Sequence, residues 1–155
     1  MFKVRFHSHI LMKITRYVKD SKREVFVVLI GKIKYKMKEV VLEVDDCLPF
    51  YNNAGEVSDK FIIVDPTWFY TTLEYIKLKY FDDKSMRILG VLHSHIVSNG
   101  VSLTPPDIDF AKEVARKYGD SLMIIVNKRL STKCFIIKED STIKLNYKTL
   151  KEMTA

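Results

Sequence analysis

The chain has 155 residues, of which 47% are hydrophobic and 29% charged. That fits one globular domain with one sizeable core, leaves little room for two, and excludes wholesale disorder. The net charge of +7 admits a nucleic acid, a membrane surface or an acidic partner. The lysines are spread out, however, and no apolar run approaches membrane-spanning length. Two cysteines, Cys47 and Cys134, form no CxxC pair and no disulfide framework, which fits a reducing, cytoplasmic setting. The N-terminal stretch carries no signal-peptide pattern, so none is expected.

In chain order, Lys3 to Phe6 read as a short strand, and Ser8 is placed to cap a helix. Ile10, Leu11, Ile14, Tyr17 and Val18 form that helix's apolar stripe, and Asp20-Ser21-Lys22 ends it. Val25 to Ile30 is a continuous apolar run closed by Gly31, the pattern of a buried central strand. Lys32, Lys34, Lys36 and Lys38 then alternate along a second strand, which places them on one solvated face or along a protected edge. Val40 to Val44 supply a third strand or its continuation. Leu48 to Ser58 read as a loop with Pro49, Asn52, Asn53 and Gly55 as turn residues.

Phe61 to Val64 begin another ordered stretch, and Asp65-Pro66 opens a helix with the stripe Trp68, Phe69, Thr72, Leu73, Ile76 and Tyr80. Arg87 to Leu92 is a strand that runs directly into His93-Ser94-His95. After a loop rich in small residues, Thr104-Pro105-Pro106-Asp107 starts a helix to about Tyr118. Leu122 to Val126, Lys133 to Lys138 and Thr142 to Asn146 complete the strands. The expected fold is a single mixed α/β domain over 1–155, with a central sheet and flanking helices.

All four histidines lie in two identical tetrapeptides, His7-Ser8-His9-Ile10 and His93-Ser94-His95-Ile96. The second sits at a strand end, where residues two apart share a face and both imidazoles reach one ion. Two histidines, a carboxylate and a water make a standard catalytic zinc site, and Asp107 in the first turn of the next helix supplies the carboxylate. Thr104-x-x-Asp107 also has the form of a helix cap, which does not conflict with a ligand role. His7 and His9 flank a turning backbone. No Asp or Glu follows them before Asp20, at the far end of a helix, so this pair is not expected to bind metal.

This constellation resembles the JAMM metalloprotease family, also called MPN-plus or JAB. Its motif is an upstream glutamate, then His-x-His, a spacer and Ser-x-x-Asp. Here the matching residues are Glu24, His93 with His95, and Thr104 with Asp107, on elements that follow the family's order along nearly the whole chain. The sequence departs in a spacer of eight residues rather than seven, in Ile96 for the usual proline, in Thr104 for serine, and in Phe26-Val27 near the place of a common Cys-Gly. None of these removes a ligand or the base.

The resemblance implies a cytidine-deaminase-like JAB/MPN fold and Zn2+ held by His93, His95 and Asp107. It also implies Glu24 as the base for the attacking water and a Thr104 hydroxyl that steadies the oxyanion. Ser94 is expected to brace the site through a hydrogen bond. The implied activity is that of an isopeptidase on conjugates of ubiquitin or a ubiquitin-like modifier. The chain would be a minimal core, because the segments between Tyr80 and Arg87 and after Lys117 are short. The alternatives are a non-enzymatic MPN-type scaffold, a hydrolase of the same fold acting on a sulfur-carrier or amino-acid conjugate, and a nucleic-acid-binding domain. The last has no recognisable motif in its favour.

Overall fold

The computed structural model describes residues 1–22, 24–50, 66–95 and 101–154. Seven strands form one mixed sheet: β1 (Phe2–Phe6), β2 (Phe26–Lys36), β3 (Glu39–Phe50), β4 (Arg87–Ser94), β5 (Ser121–Val126), β6 (Thr132–Ile137) and β7 (Thr142–Leu145). Their spatial order is β1-β3-β2-β4-β5-β6-β7. β1 runs parallel to β3 and β4 parallel to β5, while the other neighbours are antiparallel. The helices are α1 (Ser8–Asp20), α2 (Trp68–Lys79) and α3 (Pro105–Tyr118), and a 3₁₀ turn spans Leu150–Met153.

Both faces of the central strands are covered, which is why their sequences are apolar without alternation. Ile10, Leu11, Ile14 and Val18 of α1 pack with Val27, Leu29, Leu92, Leu122 and Ile124 on one face. Trp68, Phe69 and Ile76 of α2 and Ala111 and Val114 of α3 pack with Phe26, Val28, Ile30, Val91, Met123 and Ile125 on the other. The result is a three-layer arrangement in which α1, with Leu150 and Met153 of the 3₁₀ turn, covers one face. No helix of the described residues is long and apolar enough to cross a membrane.

Several sequence expectations need correction. Gly31 does not close the strand. β2 continues through it to Lys36, because Gly31 lies at a bulge where the register with β3 shifts. A Cβ at Gly31 would fall 1.8 Å from the Glu43 carbonyl oxygen, so glycine serves a close backbone approach there. Leu48 to Phe50 are the end of β3 rather than loop. Pro49 is tolerated because β1 pairs only Val40 to Val44, leaving that part of β3 without a described strand on its outer side.

Ser8 is the first helical residue of α1, and the cap position falls to His7, whose N–H already bonds the Val44 carbonyl at 3.2 Å. The lysine series lies where β2 has passed the end of β4, so the edge reading holds for Lys34 and Lys36. Lys34 also pairs with Glu43 at 2.9 Å. The expectations for Asn52, Asn53, Gly55, Phe61 to Val64, Asp65 and Ile96 lie outside the described residues.

Candidate metal centre

The site forms where three elements end together. β4 delivers His93 and His95, the segment leading into β2 delivers Glu24, and the first turn of α3 delivers Asp107. Phe26 of β2 pairs with His93 of β4, so Glu24, two residues earlier, projects from the same face as Phe26 and His93. Strand pairing continues one step beyond the ladder. The Ser94 N–H donates to the Val25 carbonyl at 3.0 Å, and the Val25 N–H donates to the Ser94 hydroxyl oxygen at 2.7 Å. Ser94 therefore clamps the backbone next to Glu24, which gives physical content to its expected bracing role. His95 lies just past the strand, and its N–H donates to the Val126 carbonyl at 2.9 Å.

β4 needs Gly90 to approach its parallel neighbour. A Cβ there would lie 1.8 Å from the Leu122 carbonyl oxygen. The close β4–β5 contact fixes the strand from which both histidines extend. At the other end of the approach to Glu24, the Lys128 ammonium meets the carbonyls of Val18 and Ser21 and so ties down the C-terminus of α1. A cation at that end also complements the helix dipole.

Among these groups, Glu24, His93, Ser94 and Asp107 are all buried, and Asp107 is fully so. His93 Nδ1 lies 2.8 Å from Asp107 Oδ1, His95 Nε2 3.4 Å from Asp107 Oδ2, and His93 Nε2 3.3 Å from Glu24 Oε2. The two imidazole rings are 5.0 Å apart and nearly perpendicular. Asp107 Oδ2 accepts the Thr104 N–H at 3.0 Å and the Thr104 hydroxyl at 2.7 Å. The cap and the ligand geometry are therefore one device: Thr104 begins α3 and orients the carboxylate it caps.

The electrostatics follow from this packing. Burial favours the neutral form of both His93 and Asp107, but in each case the partners win. Asp107 and Glu24 hold the His93 pKa above its ordinary value. Hydrogen bonds from His93, His95 and Thr104 hold the Asp107 carboxyl far below the usual carboxylate range. Asp107 is thus ready to serve as an anionic ligand.

His93, His95 and Asp107 offer ligand atoms that all lie within 4.8 Å of one another. The donor set, two imidazoles and a carboxylate, suits Zn2+. His93 Nε2 is buried and has no hydrogen-bond partner among the described residues, despite its proximity to Glu24. An orphaned buried nitrogen beside other candidate donor atoms is one that a cation would satisfy. By these two observations the residues fit a metal ion.

Sequence reasoning did not anticipate the aromatic floor of the site. Phe26 packs 4.7 Å from Phe110 and 5.3 Å from Trp68, with His93 at 6.5 Å. Phe110 stands one helical turn after Asp107, a spacing that signals a shared helix face. No local signal joins it to Phe26 and Trp68. The network at Asp46 was missed as well. Asp46 Oδ2 accepts the hydroxyls of Tyr75 at 2.7 Å and Tyr80 at 2.6 Å and the Lys79 ammonium at 3.0 Å, which anchors α2 to β3.

No protein-family model matches the chain, and no curated protein matches it. Among solved structures it is similar to protein DSY2949 of Desulfitobacterium hafniense, determined in solution. The TM-score is 0.63 at 16% identity, over 94% of this chain and 90% of that one. At that identity the likeness concerns the fold.

Proposed function

We propose that this chain is a zinc-dependent hydrolase of the JAMM type that cleaves amide or isopeptide bonds to ubiquitin or a ubiquitin-like modifier. The observation that carries the reading is the meeting of Glu24, distant in sequence, with His93, His95 and Asp107 in one cluster with an unsatisfied His93 nitrogen. The fold would be the JAB/MPN variant of the mixed α/β sheet.

His93, His95 and Asp107 would hold the ion, which when bound supplies Lewis acidity to a carbonyl and to a water. Glu24 stands beside the ligands with a buried carboxylate. In this reading it accepts the proton of the attacking water and returns it to the leaving amine. The Thr104 hydroxyl is engaged with Asp107 Oδ2, so its first role is to orient that ligand. To steady an oxyanion it must turn away from Asp107. Ser94 keeps Glu24 in register with the histidines through the Val25 N–H. The rings of Phe26, Trp68 and Phe110 would help exclude water from the inner side of the site, which would strengthen its electrostatics.

The test is Glu24→Gln beside His95→Ala, assayed for zinc content and for release of a fluorophore amide from the C-terminus of ubiquitin and of small ubiquitin-like proteins. Glu24→Gln is expected to keep the zinc held by His93, His95 and Asp107 and lose turnover, and His95→Ala to lose that ion and turnover. Near-normal turnover by Glu24→Gln would refute the assignment of the base. Wild-type protein that takes up no zinc would refute the metal centre and favour the scaffold reading.

A further inference from the structure

The other His-Ser-His segment also meets carboxylates, though none is near it in sequence. β1 pairs parallel with β3 so that Phe6 lies opposite Val44, and the His7 N–H donates to the Val44 carbonyl at 3.2 Å. This register delivers His7 beside Asp45. On its other side β3 carries the bulge: Ile30 pairs with Asp46 and Gly31 with Val44, so Asp45 has no ladder partner on β2. Bulges re-aim side chains, and this one leaves Asp45 facing His7 together with Glu43.

His7 Nε2 lies 2.7 Å from Asp45 Oδ1 and 3.8 Å from Glu43 Oε1. The two Glu43 oxygens divide their work: Oε2 holds the Lys34 ammonium at 2.9 Å, and Oε1 is the one nearest His7. Both Asp45 oxygens are shut off from solvent, and neither has a hydrogen-bond partner among the described residues. The short contact with His7 is thus an ion-pair approach rather than an aligned hydrogen bond. A carboxylate shut off from solvent, with the His7 imidazole as its close contact, favours a cation beside it. The His7 side chain is 46% exposed, which leaves water access on the outer side of the cluster.

We propose that His7, Glu43 and Asp45 form a second divalent-metal site, which takes Zn2+ or Co2+ through one imidazole nitrogen and two carboxylate oxygens. The three ligand atoms lie within 4.8 Å of one another, and one nitrogen with two oxygens suits these borderline ions. Among the described residues β1 and β3 supply no candidate ligand to the centre at His93, so the two sites are separable. Exposure and only three protein ligands make this the weaker of the two, with its remaining positions filled by water. The role it fits is to fasten β1 and the start of α1 to β3.

The experiment is titration of the full chain with Zn2+ by calorimetry and with Co2+ by its visible absorption, in four proteins. These are wild type, the double variant His93→Ala/His95→Ala, His7→Ala and Glu43→Gln. Wild type is expected to bind two ions. The double variant should keep one, and His7→Ala should lose the weaker ion while retaining turnover. Glu43→Gln, a nearly isosteric change at a partly buried side chain, should weaken that ion by about 10-fold or more. If the weaker equivalent is absent from wild type, or persists unchanged in His7→Ala and Glu43→Gln, His7 and Asp45 are an ion pair alone and the proposal falls. Loss of the other equivalent only would count against the His93 centre and leave this one standing.

Discussion

Ser94→Ala is the most informative single change, because it leaves every proposed ligand and the proposed base in place. The hydroxyl oxygen accepts the Val25 N–H at 2.7 Å in a buried setting, while the reciprocal Ser94 N–H to Val25 carbonyl bond at 3.0 Å survives the substitution. What remains is a buried backbone N–H with no acceptor, at a cost of about 1–3 kcal/mol. For a chain of this size that lowers Tm by roughly 2–4 °C for each kcal/mol.

The functional effect should be larger than the stability effect. Val25 follows Glu24 directly, and a shift of the base by about 1 Å costs on the order of 100-fold in rate. The assay is urea denaturation and zinc content of both proteins, with kcat and KM on a ubiquitin-like amide probe. Zinc retained near one equivalent at the His93 centre, KM little changed and kcat reduced would fit the clamp. A variant as stable and as active as wild type would refute the reasoning, because Glu24 would then be held by something else.

Three further outcomes are expected. Thr104→Val keeps the shape of the side chain but removes the hydroxyl from Asp107 Oδ2, and zinc affinity measured by competition with a chelator should fall about 10-fold, with Thr104→Ser close to wild type. Burial works against the Asp46 carboxylate, but Tyr80, Tyr75, Lys79 and the Cys47 N–H overcome it and set its pKa below the ordinary value. A depressed carboxylate pKa gives stability that is present above the unfolded value, about 3.9, and is lost as pH falls through the folded one. Asp46→Asn should therefore lower stability at pH 7 and flatten its decline on acidification, as read by denaturant midpoints from pH 7 downward. Gly90→Ala places a methyl group 1.8 Å from the Leu122 carbonyl oxygen and must part β4 from β5. A loss of at least about 1–3 kcal/mol, visible as a lower thermal midpoint, is expected.

Local pattern was enough to find most of the elements. The apolar run of β2, the stripe of α1, the strand leading into His93 and the Thr104 start of α3 are all read from neighbours a few residues apart, the range over which helix and strand periodicities act. The trio His93, His95 and Asp107 was legible for the same reason: two positions share a strand face, and the third sits in the first turn of the next helix. Glu24 is legible only through the resemblance to a family's order of motifs, since a single glutamate beside Lys22 carries no local signal.

What the sequence could not contain was register between distant strands. Asp46 became an anchor for α2, and Asp45 a partner for His7, only when β3 was laid between β1 and β2 with a bulge at Ile30 and Gly31. A search for a carboxylate downstream of His7 stops at Asp20, whereas parallel pairing with β3 supplies two from beyond the next strand. Leu48 to Phe50 and Gly31 read locally as loop and strand end because proline and glycine usually punctuate local structure, and only a side of β3 that no described strand pairs and the tight approach of Glu43 make them strand residues. The sequence alone determined most of the strands and helices and which face of β4 carries the candidate ligands. The tertiary structure decided which charges meet, because a strand's partner is chosen by the burial of whole faces and not by any residue's neighbours in the chain.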